Sequence, residues 1–188
     1  MSIFQQNIQG NKDFKDQITE IEIILQKLCC DILIITEMDT EAVCSWDFPG
    51  YSAHKGHLKG HNRVRVSALV RTSIKHTVKH LDVEVPNVVI EFKIDNKQYR
   101  VTGVYREWNY GATPDTPRRD QEVRWCDFED AWYNDNKRCK FSCLLGDMNF
   151  DFLGNYTTHS VGLEPIRNSV MENVVMRGWT QFIKSTTR

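Results

Sequence analysis

The apolar and polar positions along this chain switch between two periods, and the switches mark the elements. Ile3 to Asn7 reads as a short opening strand. From Phe14 to Leu28 the apolar residues Phe14, Ile18, Ile21, Leu25 and Leu28 recur at helical spacing. Asp31 to Thr36 centres on Ile32-Leu33-Ile34-Ile35, a continuous apolar run of the kind carried by a strand buried on both faces. Asp39 to Cys44 reads as a short helical turn. Val64 to Arg71 alternates, as a half-buried strand does. Val88 to Lys93 and Gln98 to Tyr105 are two further strands, with a tight turn at Asp95-Asn96-Lys97. After Pro117, Arg118 to Tyr133 is a charged helix, with Val123, Phe128, Ala131 and Trp132 expected on its buried side. Phe141 to Leu145 is a buried-type strand. A helix from Pro165 to Met176 is stopped by Arg177-Gly178, and Trp179 to Ile183 begins another strand. Helices, hairpins and crossovers are mixed. This pattern predicts an α/β sandwich with a mixed-sheet core and helices outside, in a single domain.

Composition changes this picture little. The 188 residues are 40% apolar and 26% charged, as in an ordinary globular protein that can bury a core. No apolar run approaches the roughly 20 residues of a membrane span, so no membrane partner is expected. The N-terminus lacks a basic segment followed by an apolar stretch. The six cysteines form no CxxC pair, a pattern of reduced thiols in an intracellular protein.

Charge is more informative where it is local. The net charge is −1, yet His54 to His80 holds seven Lys or Arg residues and five histidines, with no Asp or Glu. Such a segment is either a solvated loop followed by a strand with an exposed basic face, or a surface that meets a polyanion. His54-x-x-His57-x-x-x-His61 has no cysteine and no helix to set ligand angles, so a zinc site is not expected there.

The candidate chemistry lies where apolar runs end. Phe141-Ser142-Cys143-Leu144-Leu145 leads into Gly146-Asp147-Met148-Asn149. Residues two apart in an extended chain point to the same side, so Asp147 and Asn149 look into one space. The upstream run ends similarly at Thr36-Glu37. Two strands that each end in a carboxylate can place two acids around one divalent cation, the minimum for metal-assisted phosphate chemistry. Taken singly, each residue also has an ordinary structural role: an Asx turn for Asp147 and Asn149, a strand-end residue for Asn7, a half-buried strand residue for Tyr105, a surface pair with Glu107 for Arg106.

Asn7 after the first strand, Thr36-Glu37 after the second, Val104-Tyr105-Arg106 and Gly146-Asp147-Met148-Asn149 together resemble, in order and spacing, the endonuclease/exonuclease/phosphatase superfamily, the fold of DNase I and AP endonucleases. Arg177-Gly178-Trp179-Thr180-Gln181-Phe182-Ile183 and Thr186-Thr187-Arg188 are similar to a segment of the endonuclease domains of LINE-type (non-LTR) retrotransposons. The resemblance implies a four-layer α/β/β/α sandwich of two mixed sheets flanked by helices. It implies a Mg²⁺- or Mn²⁺-dependent endonuclease that nicks DNA and leaves a 3′-hydroxyl, alongside a downstream reverse transcriptase domain. It further implies Glu37 and Asn7 at the metal, and Asp147, Asn149 and Tyr105 as catalytic residues. Arg106, Arg71 and Thr187 are assigned to the substrate. A chromosomal target implies action in the nucleus.

Two departures accompany the match. The superfamily closes on a Ser-Asp-His-type strand, and the sequence stops at Thr187-Arg188 before one, so the domain is expected to lack its last strands. The usual Tyr-Arg-Pro is here Tyr105-Arg106-Glu107. The alternatives are an inactive truncated fragment or nucleic-acid-binding remnant, or an AP-type repair endonuclease or other phosphodiesterase of the same superfamily.

Overall fold

The computed structural model describes residues 1–8, 14–41, 46–56, 63–106, 116–148, 168–170 and 172. Its elements are β1 (Ile3–Asn7), α1 (Phe14–Leu28), β2 (Ile32–Glu41), β3 (Tyr51–Lys55), β4 (Arg63–Arg71), β5 (His76–Lys79), β6 (Asn87–Ile94), β7 (Lys97–Tyr105), α2 (Thr116–Asn136) and β8 (Phe141–Asp147). They form two four-stranded mixed sheets, ordered β1-β2-β4-β3 and β5-β6-β7-β8. Each contains one parallel pair, β1 with β2 and β7 with β8, and each parallel pair is joined by a helix. A parallel connection needs such a crossover.

Burial sorts the apolar residues into three cores. Ile32 and Ile34 of β2 pack with Val66, Ala68 and Val70 of β4, and across to Val88, Ile90, Phe92 and Val101 of the second sheet. Leu33 and Ile35 point the other way and meet Ile21 and Leu25 of α1. Val89 and Val104 meet Trp125, Phe128 and Trp132 of α2. The layers are therefore α1, sheet, sheet, α2, as expected. A strand in the middle of this stack is apolar on both faces, which is why β2 shows a continuous run.

The hairpin between β6 and β7 turns at Asp95 and Asn96, with φ of 50° and 60°. Two positive φ values match the turn whose twist suits a two-residue hairpin, and Asp and Asn tolerate them. Lys97 is already in the strand.

Two expectations need correction, and two strands were missed. Asp39 to Glu41 are not in a helical turn; β2 resumes there after an irregularity between Thr36 and Thr40. Val123 is 52% exposed, and Trp125 takes its place inside. Trp125, Phe128 and Trp132 lie at i, i+3 and i+7, while Val123 is rotated about 200° from Trp125. Strands β3 and β5 were not expected; they are short and polar, and their pairing comes from β4 and β6. Of the helix expected from Pro165, only 168–170 and 172 are described, and they are helical. The expected strand at Trp179 lies outside the described residues.

Candidate active site

The register of the parallel pairs decides where the functional residues fall. Ile3 pairs with Ile32, and Asn7 with Thr36. Tyr99 pairs with Phe141, and Tyr105 with Asp147. In both pairs the carboxyl ends are level, so Asn7 and Thr36 share one strand end and Tyr105 and Asp147 another. The Asn7 Nδ2 then donates to the Asp147 Oδ2 at 2.8 Å and bridges the two sheets. The carboxyl ends of all four strands form one rim, the side on which parallel α/β units carry ligands.

Backbone geometry at this rim is unusual at two positions. Glu37 has a φ of 61°, in the left-handed region that glutamate rarely adopts. Such a conformation costs about 1 kcal/mol or more and persists where surrounding structure enforces it, often at functional sites. Gly146 has a φ of 152°, and a Cβ built there would sit 1.8 Å from the Val104 carbonyl oxygen. β8 thus crosses β7 closely just before Asp147, and only glycine permits it.

Asp147 is held from several directions. Its carbonyl accepts from the Arg106 N–H at 2.9 Å. The Arg106 Nε donates to the neighbouring Met148 carbonyl. Arg106 is 4% exposed, and burial pulls its guanidinium down to about 10 against the opposing pull of Asp147 and then Tyr105. Tyr105 is 7% exposed, with its ring in the core between the sheets. Around Thr36, the Gln5 Nε2 donates to the hydroxyl at 3.3 Å and the Ile8 N–H donates to the carbonyl at 3.2 Å.

The solved structures most informative about this arrangement are distant in sequence. The endonuclease domain of TRAS1, a telomere-specific non-LTR retrotransposon, superimposes with a TM-score of 0.61 at 15% identity, over 97% of this chain and 75% of that one. Truncated Caenorhabditis elegans TDP2 gives 0.55 at 16% identity, over 83% and 65%. The human Nocturnin catalytic domain, with bound sulfate, gives 0.55 at 16%, over 80% and 65%. No family model and no curated protein matches the sequence.

The fold is that of the endonuclease/exonuclease/phosphatase, or DNase I-like, proteins. This chain spans just under two thirds of the length of the TDP2 and Nocturnin chains.

On the DNase I-like scaffold, five expected site residues come to the rim: Asn7, Glu37, Tyr105, Arg106 and Asp147. Asn149 and Thr187 lie outside the described residues. Arg71 is not with them. It sits at the opposite end of β4, beside Tyr51 and level with the start of β2. There its Nη2 donates to the Cys29 and Cys30 carbonyls at 2.5 and 3.2 Å, and its Nε lies 3.3 Å from Asp31. Arg71 therefore closes the C-terminal end of α1, where unpaired carbonyls favour a cation.

The basic stretch from His54 to His80 divides in the same way. Lys79 lies 2.9 Å from Glu91 and 2.8 Å from Asp135. The acids missing from the local sequence are supplied by other elements. His54 and His76 meet with their Nε2 atoms 2.8 Å apart.

The donor set at the rim suits a hard divalent cation. Glu37 and Asp147 bring carboxylate oxygens, and Asn7 an amide oxygen. Among the described residues no three His, Cys, Asp or Glu side chains converge into a ready-made cage. Mg²⁺ does not require one, since it keeps several waters and is commonly held by one or two carboxylates together with substrate phosphate. The residues present fit such an ion.

Proposed function

We propose that this chain is a metal-dependent phosphodiester hydrolase acting on DNA, an endonuclease of the retrotransposon type. The observation that carries the reading is the Asn7–Asp147 hydrogen bond, which joins two strand ends 140 residues apart into one polar rim beside Glu37. The DNase I-like fold, shared with an endonuclease domain and with TDP2, one structure of which holds a single-strand DNA product, supports it.

In this reading Glu37 and Asn7 would hold Mg²⁺ or Mn²⁺, which when bound would supply positive charge to the phosphoryl oxygens. Asp147 takes a proton from the attacking water. The water oxygen bonds to phosphorus, the bond from phosphorus to the 3′ oxygen breaks, and that oxygen leaves as the 3′-hydroxyl after taking a proton from solvent. The amide of Asn7 holds the Asp147 carboxylate in one orientation for this transfer. Tyr105 and Asn149 are assigned to the scissile phosphate. Nuclear action and a reverse transcriptase domain on the same polypeptide belong to this proposal.

The end chemistry tests it. Products of a Mg²⁺ digest of duplex DNA should be extended by a polymerase without prior phosphatase treatment, which requires a 3′-hydroxyl. Products blocked at the 3′ end would exclude the mechanism. Hydrolysis confined to a small nitrophenyl phosphodiester, with intact DNA, would favour a different phosphodiesterase of the same fold.

A further inference from the structure

We propose that Arg106 is a positioning residue that fixes the strand end carrying Asp147, and not a contact to substrate phosphate. This inference rests on the nuclease reading for its kinetic consequence, but not for its structural one.

A phosphate-binding arginine must present its fork to solvent. Arg106 does the reverse: only 4% of it is exposed, and its Nε is committed to the Met148 carbonyl. Its own N–H holds the preceding carbonyl, that of Asp147, at 2.9 Å. One residue at the end of β7 therefore grips two successive peptide carbonyls just past the end of β8. The grip is needed because of what comes before it. Gly146 has a backbone conformation that side chains rarely adopt, and β8 ends at Asp147. At Met148, the first residue past the strand, the side chain of Arg106 supplies the donor to the backbone carbonyl.

A buried guanidinium is costly unless fully engaged, so its burial is itself a sign of a structural task. Asn7 holds the Asp147 carboxylate from the other sheet, while Arg106 holds the backbone on either side of the peptide that follows it. Asp147 is thus held at its carboxylate by Asn7 and at its carbonyl by the Arg106 N–H.

Arg106→Gln tests this directly, with Arg106→Lys as the second variant should the first fail to fold. The structural readout is the hydrogen exchange of the Asn7 side-chain amide, followed by NMR in the metal-free protein. Release of Asp147 should speed that exchange by about tenfold or more in a variant that remains folded. The second readout is the salt dependence of binding to a duplex oligonucleotide. A phosphate contact contributes about 0.9 to the slope of log affinity against log salt. A positioning residue leaves the slope unchanged. The third is steady-state nicking, in which kcat should fall by about 10- to 100-fold with KM retained, as expected for a misplaced catalytic group.

Unchanged Asn7 exchange in a folded variant, or a slope reduced by about one unit, would overturn the proposal. Failure of the wild-type chain to bind or nick DNA would count against the nuclease reading alone. The exchange measurement would then still decide the role of Arg106.

Discussion

At the residue scale, two backbone positions carry opposite consequences. Gly146 cannot be replaced, because any Cβ meets the Val104 carbonyl oxygen at 1.8 Å. Gly146→Ala should destabilise the protein by about 2–4 kcal/mol in urea unfolding, combining a disfavoured φ with a backbone clash. Gly50 is the control. Its φ is 82°, but a Cβ there meets nothing within 4 Å, so Gly50→Ala should cost only about 1 kcal/mol, that of the conformation. Glu37 is the converse case, a side chain held where glycine is favoured. Glu37→Gly should abolish nicking while leaving stability unchanged or raised by up to about 1 kcal/mol, since relief of strain offsets the greater freedom of the unfolded chain. A loss well beyond 1 kcal/mol would mean that the Glu37 side chain has a structural task. The candidate positions Glu37 and Asp147 were legible in the sequence because they are acids ending apolar runs, whereas Asn7, which follows Gln5 and Gln6, was singled out only by the family resemblance. The role of Arg106 was not legible. Its burial depends on how closely β7 and β8 approach, and no local pattern encodes that. Arg71 misled for the same reason: it looked like one of a row of cations, but its partner Asp31 is 40 residues away in sequence.

At the scale of elements, α2 and its sheet are joined by a buried charge network. Arg100 is 3% exposed, donates to Glu91 through Nε and Nη2, and reaches Asp135 and Asn136 with Nη1 at 2.8 and 2.7 Å. Burial by itself lifts the Glu91 carboxyl, but hydrogen bonds from Arg100 and Lys79 outweigh it and hold the group below its ordinary range. Its contribution to stability is therefore present above the unfolded carboxyl range and lost as pH falls through the lowered folded value. Removing the centre of the network leaves the half-buried Glu91 and Asp135 to share Lys79 alone. Arg100→Leu should cost about 3–5 kcal/mol, measured by urea unfolding at pH 7. A cost below about 1 kcal/mol would show that the acids relax to solvent. Elements whose own faces are apolar, such as α1 and β4, were readable from periodicity. β3 and β5 were not, since Tyr51-Ser52-Ala53-His54-Lys55 and His76-Thr77-Val78-Lys79 take their strand character from the neighbour they pair with. The Asp39–Glu41 segment was misread because its acids suit a helix start, whereas the left-handed turn at Glu37 lets the strand resume.

At the scale of the whole molecule, side-chain bonds link the two sheets at both margins. Asn7–Asp147 joins β1 to β8, and His54–His76 joins β3 to β5. The second link holds a single proton. The His76 Nδ1 lies 2.7 Å from the Ile74 carbonyl, which can only accept, so Nδ1 carries the proton and the Nε2 accepts from His54. Protonating both rings puts two donors face to face. Burial, followed by the charges of His76 and His80, pushes the His54 imidazole below its ordinary value. The unfolded chain thus takes up the proton first as pH falls. Stability is full above the unfolded value near 6.5 and declines as pH drops through the folded one, by at most about 1.4 kcal/mol per pH unit for one proton. Urea unfolding between pH 7.5 and 5 should show that decline, and His54→Gln should flatten it. An equal slope in both proteins would rule the histidine pair out as its source. The central claim, that the rim built by Asn7, Glu37 and Asp147 cuts DNA, is tested most directly by conversion of supercoiled plasmid to the nicked circle. The wild-type chain with Mg²⁺ should nick, chelation should stop it, and folded Glu37→Ala and Asp147→Asn should each lower the rate by at least about 100-fold. A folded wild-type chain that leaves the plasmid intact, or nicking that survives both substitutions, would contradict the account.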